Sequence, residues 1–99
     1  MLDLPPEELR RHLHAASDWV ADYLETIEDR PVLPRVRPGD FAARLPVHPP
    51  EEGEPMERIL DDFERLVPDA LTHWNHPSFH AWFSNTASGP GILGELLAA

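Results

Sequence analysis

Three histidines lie within residues 71–89, the stretch LTHWNHPSFHAWFSNTASG, together with two tryptophans and two phenylalanines. Imidazole nitrogens are common zinc ligands, so His73, His76 and His80 could in principle form a metal site. Pro77 interrupts the helix that would place the three rings on one face. The stretch also has no H-E-x-x-H arrangement and no carboxylate to complete a catalytic zinc site. The sequence therefore predicts no metal site here.

A hydrolytic nucleophile is the second chemistry that this stretch could carry. Ser84, Thr86 and Ser88 follow His80 closely in the sequence. No G-x-S-x-G elbow presents any of these hydroxyls, and neighbours in sequence rarely form a catalytic triad. The SGPG segment likewise lacks the glycine spacing of a phosphate-binding loop. The sequence therefore predicts no catalytic residue in this chain.

The aromatic side chains of the stretch leave two interpretations open. Phe79 is best explained as a core residue, because burying an aromatic ring stabilises a fold by roughly 1.5–3 kcal/mol. Trp82 and Phe83 instead stand in a polar, turn-rich segment that continues with Ser84, Asn85 and Thr86. They could be core residues or one wall of a small-molecule pocket, since such pockets combine aromatic walls with a few polar groups.

The composition excludes several classes of function. Eighteen acidic and eight basic residues give a net charge of −10, which disfavours binding to nucleic acids and to anionic membranes. The absence of cysteine excludes disulfides, thiolate metal sites and a thiol nucleophile. No apolar run approaches the roughly 18 residues of a membrane span, so we expect a soluble cytoplasmic protein. All eight basic residues are arginine, so no lysine amine can form a Schiff base.

The hydropathy pattern predicts an all-α chain. Apolar residues recur every three or four positions over residues 5–29, which is typical of a long amphipathic helix that Asp3 could cap. A second amphipathic helix is predicted at 55–67 and is followed by an aromatic loop at 68–89. The start of a third helix is predicted at 90–99, where Ser88 can serve as the N-cap.

A proline-rich loop is predicted at 30–54. Seven prolines fall between positions 31 and 55, and this density predicts that no regular element forms. A free linker would be more polar, so we expect the loop to be pinned against another surface by its apolar side chains. These side chains are Val32, Leu33, Val36, Phe41 and Leu45.

The predicted third helix stops at Ala98 and Ala99, about two turns after it begins. It has no glycine cap, no basic residue in its last turn and no polar tail. Isolated helices shorter than about 12–15 residues are marginal in water. We therefore expect the chain to be a fragment of a longer protein, or the remnant of one.

Several ordered motifs resemble the group II pyridoxal-phosphate-dependent decarboxylases, the family of aromatic-L-amino-acid, tyrosine and histidine decarboxylases. The motifs in ALTHWNHPSFHAWFSNTASGPGILGELLAA are the triplet 72–74, the pair 76–77 with Phe79, the aromatic pair 82–83 and the leucine-rich helix start. Upstream, DWVADYLETIEDRPVLPRVRPGDF is similar to the first helix of the family and the turn after it. The resemblance covers essentially the whole chain.

The resemblance implies a fold and an assembly. The chain would be the N-terminal arm of a fold-type I enzyme that uses pyridoxal phosphate. Its two amphipathic helices and truncated third helix, joined by the proline-rich loop, would wrap around the partner subunit of a homodimer. The catalytic domain would lie outside this chain and would hold the lysine that binds the cofactor. In such enzymes the pyridine ring takes up the electrons released as carbon dioxide leaves.

The resemblance also implies site residues. Trp82 and Phe83 would shape the pocket for the substrate side chain, with Trp74 near it. Asn85 or Thr86 would contact the substrate. The commoner family version of this motif is tyrosine-phenylalanine-proline, whereas this chain has tryptophan at 82 and serine at 84. The larger indole should reshape the pocket, so the substrate is predicted only as an aromatic or related L-amino acid.

Two hypotheses follow. In the first, the chain is the dimerisation and substrate-pocket segment of an amino-acid decarboxylase, a carboxy-lyase, and is inactive alone because it has no lysine. In the second, it is a stand-alone helical module that associates with itself and carries out no catalysis. Trp82 and Phe83 would then be interface aromatics, which are enriched at binding hot spots. Both hypotheses predict self-association.

Overall fold

The computed structural model describes residues 3–81 and 87–99, and every regular element within these ranges is helical. The all-α prediction is therefore confirmed. The α-helices are α1 (Pro6–Glu25), α2 (Asp40–Ala43), α3 (Met56–Leu66) and α4 (Gly89–Ala98), and two 3-10 turns cover Ile27–Asp29 and Pro68–Ala70. None of the helices in the described ranges is long and apolar enough to cross a membrane.

Helix α1 is shorter than the predicted range 5–29 and begins differently. Pro5 and Pro6 form its start, and the Asp3 carboxylate accepts from the neighbouring Leu4 N–H at 2.8 Å, so the predicted Asp3 cap is wrong. The helix ends at Glu25, and the C-cap residue Thr26 donates to the carbonyl oxygen of Asp22 through both its backbone N–H and its hydroxyl, the latter at 2.8 Å. Acidic residues in that turn also oppose the helix dipole, which makes an end there favourable.

The proline-rich loop contains one helical turn that the sequence did not predict. The four residues of α2 fall in a gap between prolines, so the proline density argument is wrong for them. Asp40 begins the turn by accepting from the Arg37 N–H at 2.9 Å. Gly39 precedes it with φ of +91°, a left-handed conformation that glycine adopts without strain.

The loop is pinned at fewer points than its apolar residues suggested. Val32 and Phe41 are half-buried, and the carbonyl oxygen of Val32 accepts from the His73 N–H at 2.9 Å. Leu33, Val36 and Leu45 are exposed instead. These three side chains therefore leave apolar surface uncovered.

The core lies where α1, α3 and the second 3-10 turn meet. Trp19 of α1 stacks on Tyr23 at 5.2 Å between ring centroids and contacts the edge of Phe63 of α3 at 5.0 Å. Leu66 and Pro68 are buried below them. At the other end of this contact, the Arg11 guanidinium donates to Glu57 at 3.0 Å. The pKa of Glu57 is lowered, first by its own backbone N–H and further by Arg11.

Helix α4 begins as predicted, because the Ser88 hydroxyl accepts from the Gly91 N–H at 3.2 Å. Ile92 is half-buried, whereas Leu93, Leu96 and Leu97 are exposed. Between α4 and α1 lies an apolar groove of about 350 Å³. The helix is therefore properly capped but leaves most of its leucine face uncovered.

The chain as a whole buries little of its apolar surface. Its solvent-accessible surface is 8518 Å², against roughly 5,700 Å² expected for a folded monomer of this mass. Its radius of gyration is 15.9 Å, compared with about 13 Å for an ordinary domain of 100 residues. The fold is consequently open, and it exposes more surface than a compact monomer of this mass.

Candidate functional site

The aromatic stretch leaves α3 through a buried turn. Pro68 is fully buried and starts the 3-10 turn Pro68–Ala70, after which the backbone extends to His73. His73 then begins two successive backbone turns, in which its carbonyl oxygen accepts from the His76 N–H at 3.1 Å and the carbonyl oxygen of His76 from the Phe79 N–H at 3.0 Å. These turns fix residues 73–79 in a compact path against the end of α1.

A histidine-tyrosine pair anchors this path to α1. The Tyr23 hydroxyl lies 2.6 Å from Nδ1 of His73, and only 3 % of His73 is exposed. Burial lowers the pKa of His73, and the charge of Arg30 lowers it further. His73 is therefore neutral at pH 7, so its Nδ1 can accept the Tyr23 hydroxyl proton. Burial likewise raises the pKa of Tyr23, with Arg30 opposing the effect.

Arg30 completes this cluster from the loop side. Its guanidinium carbon lies 5.3 Å from the centroid of the Tyr23 ring, a distance typical of a cation–π contact. Residues 23 and 30 lie near each other at the end of α1 and just after it, whereas residue 73 comes from a turn more than forty positions later in the sequence. Sequence analysis missed this cluster because no local spacing links a tyrosine to a histidine fifty residues later.

Trp74, predicted to lie near the substrate pocket, is presented at the surface. Its side chain is 45 % exposed and stacks on Phe79, with 6.3 Å between ring centroids and 26° between ring planes. Phe79 is only half-buried, so the expectation that it is a plain core residue is wrong. The two rings together form a partly open aromatic surface beside the buried His73.

The other predicted site residues are Trp82, Phe83, Asn85 and Thr86, and they lie outside the described residues. The chain on either side of them is held together, since the Ala87 N–H donates to the side-chain oxygen of Asn75 at 3.3 Å. Asn75 directly follows Trp74. Ala87, which follows the predicted residues, therefore lies beside the residue next to Trp74.

Two of the three histidines of the stretch use ring nitrogens on partners within the protein. Nδ1 of His76 accepts from the Ser78 N–H at 3.0 Å, and its Nε2 lies 3.4 Å from the carbonyl oxygen of Glu28. His73 uses Nδ1 on Tyr23, while His80 is exposed. In residues 3–81 and 87–99, no group of three potential metal ligands comes together.

Comparison with known proteins places the chain among related sequences. Residues 38–99 match the pyridoxal-dependent decarboxylase conserved domain. A phenylacetaldehyde synthase from a Rosa hybrid cultivar is 47 % identical over 95 % of the chain, which spans 18 % of that protein. A tryptophan decarboxylase from Camptotheca acuminata is 43 % identical over 95 % of the chain. The match covers 19 % of the length of that decarboxylase.

The fold has a counterpart in solved structures. The crystal structure of Oryza sativa TDC with PLP superposes on 99 % of the chain with a TM-score of 0.91 and 35 % identity. The chain covers 21 % of that protein. The chain therefore spans about a fifth of the length of these relatives.

Proposed function

The chain belongs to the pyridoxal-dependent decarboxylase family, and we propose that it is the N-terminal dimerisation and substrate-pocket segment of an amino-acid decarboxylase. The observation that carries this proposal is the match over nearly the whole chain at 43–47 % identity. The names of these relatives point to aromatic substrates, so we propose an aromatic or related L-amino acid here.

The proposed role excludes holding the cofactor. Pyridoxal phosphate is bound in such enzymes through a lysine amine, and all eight basic residues of this chain are arginine. Its residues therefore do not fit covalent attachment of the cofactor. The proposed contribution of the chain is to bind and orient the substrate side chain and to keep water away from it. On this proposal the chain alone is inactive.

The pocket role is supported by the surface around Trp74. This residue is partly exposed on a rigid base, because the adjacent His73 is buried against Tyr23. The proposed pocket residues Trp82, Phe83, Asn85 and Thr86 follow in the same stretch, whose ends meet through Asn75 and Ala87. An aromatic wall with small polar groups beside it suits an amino-acid side chain that is itself aromatic.

Trp82→Ala in the complete protein is expected to change the preference among aromatic amino acids by about tenfold while leaving cofactor affinity nearly unchanged, because it reshapes only the side-chain pocket. The measurement is kcat/KM for phenylalanine, tyrosine and tryptophan, with cofactor affinity from absorbance titration. Val47→Ala, an exposed apolar residue in the loop, serves as the control. Loss of cofactor binding with unchanged selectivity would contradict the pocket assignment.

The fate of the substrate after carbon dioxide leaves has two candidates. Relatives named as decarboxylases and relatives named as aldehyde synthases match the chain at similar identity. We propose decarboxylation as the shared step. The final product is an amine or, where molecular oxygen serves as the two-electron oxidant and water is consumed, an aldehyde released together with ammonia and hydrogen peroxide. Chromatographic analysis of the products of the complete protein, in the presence and absence of oxygen, separates the two.

The dimerisation role is supported by the uncovered apolar surface. Leu93 and Leu97 on α4, together with Leu9 and Leu13 on α1, are exposed, and the surface exceeds that of a compact monomer by roughly 2,800 Å². Obligate interfaces bury about 2,000–5,000 Å² summed over both partners, or about 1,000–2,500 Å² per chain, so the excess on one chain is large enough to supply its side of such an interface. The stand-alone module that carries out no catalysis, our second candidate, would use the same surface.

Self-association is expected to be concentration-dependent, with the sedimentation coefficient of the full chain rising toward that of a dimer. Leu97→Glu should shift the equilibrium toward monomer because it places a charge on the apolar face of α4. Val47→Glu, at an exposed position in the loop, is the matched control. A chain that stays monomeric at every concentration would count against both candidate functions.

Reading the source DNA beyond codon 99 for a cofactor lysine separates the decarboxylase segment from the stand-alone module.

A further inference from the structure

Three arginines of this acidic chain line one cleft, which we call the arginine cleft. It has a volume of about 720 Å³ and is lined by Arg30, Arg35, Arg44 and His73, with three proline rings, a valine and two aspartates. The chain carries a net charge of −10. A local gathering of cations is therefore unexpected from composition and requires a physical explanation.

The arginines of the cleft are not neutralised by ion pairs. Of the five arginines elsewhere, three are paired: Arg11 with Glu57, Arg37 with Asp40 and Arg65 with Asp62. Within the described residues, Arg30, Arg35 and Arg44 have no carboxylate within 4.0 Å. Asp29 and Asp69 also line the cleft but leave an excess of one positive charge there.

Arg30 shows the clearest unsatisfied bonding capacity. Its Nε is buried and has no hydrogen-bond partner among the residues that the structure describes. Burying such a donor without a partner costs about 1–3 kcal/mol, and more for a charged group. The Tyr23 ring holds the guanidinium from one side. The positive field is also felt by His73, whose pKa Arg30 helps to lower.

The shape and lining of the arginine cleft indicate the ligand class. Its volume is within the range of small-molecule pockets, roughly 300–1,000 Å³, and it is larger than a bare inorganic anion needs. Guanidinium groups bind carboxylates and phosphates through two parallel hydrogen bonds. The proline rings and Val36 offer an apolar wall for a carbon skeleton.

We propose that the arginine cleft binds a small organic anion, whose carboxylate or phosphate group pairs with the arginines while its apolar part lies on the proline wall. Among the proposed pocket residues that the structure describes, Trp74 does not line the cleft.

The test is a titration of the full chain at constant ionic strength with two pairs of probes, acetate and benzoate, and phosphate and phenyl phosphate. Calorimetry gives the affinity for each. We expect saturable binding, with the aromatic member of a pair tighter, and the two pairs identify which anionic group is preferred. Removing one arginine should weaken binding about tenfold or more.

Arg35→Gln and Arg44→Gln are suitable variants because both side chains are exposed, so the fold should be retained. Arg58→Gln, an exposed and unpaired arginine outside the cleft, is the matched control. In the NMR spectrum, a bound anion should also raise the pKa of His73. Equal weakening in all three variants, no saturable binding, or equal affinity for the simple and aromatic anions would overturn the proposal.

Discussion

Leu66→Ala is expected to lower the free energy of unfolding by about 2–4 kcal/mol. Leu66 ends α3 and is only 7 % exposed, in a core that holds few other buried side chains among the described residues. Truncating it removes buried methyl groups and leaves a cavity between α3 and its neighbours. A domain of this length has a total stability of about 5–15 kcal/mol, so the variant loses a large share of it.

The measurement is urea unfolding followed by helical circular dichroism. Leu33→Ala is the matched control, since the same side chain is 65 % exposed in the proline-rich loop. We expect that control to change stability by less than about 0.5 kcal/mol. Equal losses in the two variants would mean that the core does not lie at the end of α3.

His73→Gln is expected to have the second large effect, because it removes a buried ring and leaves the Tyr23 hydroxyl without its partner at 2.6 Å. Leaving a buried polar group unsatisfied costs about 1–3 kcal/mol at neutral pH. Thermal unfolding of the full chain at pH 7.5 gives this loss. Replacing the exposed His14 by glutamine is the control and should cost little.

The same histidine should make the wild-type chain sensitive to acid. Burial lowers the pKa of His73 in the folded state, whereas in the unfolded state it returns to about 6.5. Below that pH the unfolded chain binds the extra proton first, so stability falls until the pH reaches the folded-state pKa. Above about 6.5 the full contribution is present.

Comparing thermal midpoints between pH 7.5 and 5 tests this dependence. The wild-type chain and His14→Gln should both lose stability on acidification, and His73→Gln should lose less. If the stability of all three proteins changed equally with pH, the acid sensitivity would belong to other groups.

A weaker His73 contact would also loosen Trp74, which directly follows it. Substrate selectivity of the complete protein should therefore become pH-dependent over the same interval.

The pairing of Tyr23 with His73 links the two parts of the proposed function. Tyr23 belongs to α1, whose exposed leucines are part of the proposed dimer surface, and His73 supports the proposed pocket wall. A single part-buried hydrogen bond therefore joins the helix of the one proposed surface to a residue beside the other. Tyr23→Phe in the complete protein would break this link while keeping the aromatic ring.

The sequence alone determined the local features of the chain. The three longer helices follow from hydropathy periodicity and proline placement, and the Ser88 cap follows from a polar side chain just before a proline-led helix start. Family membership follows from motifs that are contiguous in the chain. The inability to hold the cofactor by a lysine follows from composition. Each of these depends on residues only a few positions apart.

Predictions from local sequence patterns failed where neighbouring groups form competing short-range hydrogen bonds. Asp3 accepts from the adjacent Leu4 N–H instead of capping α1, and Thr26 ends that helix four residues before the predicted limit. Proline density did not prevent the short α2, since only the four residues between prolines mattered. In each case a short-range hydrogen bond outweighed a preference that holds on average for that residue type or composition.

Only the tertiary structure decided which distant side chains meet. The Tyr23–His73 pair joins residues fifty positions apart, and the arginine cleft gathers Arg30, Arg35 and Arg44 from separate parts of the proline-rich loop against His73. Such contacts depend on how α1, the loop and the aromatic stretch pack together. No period or spacing in a sequence encodes that packing, because it results from burial summed over many weak contacts between elements.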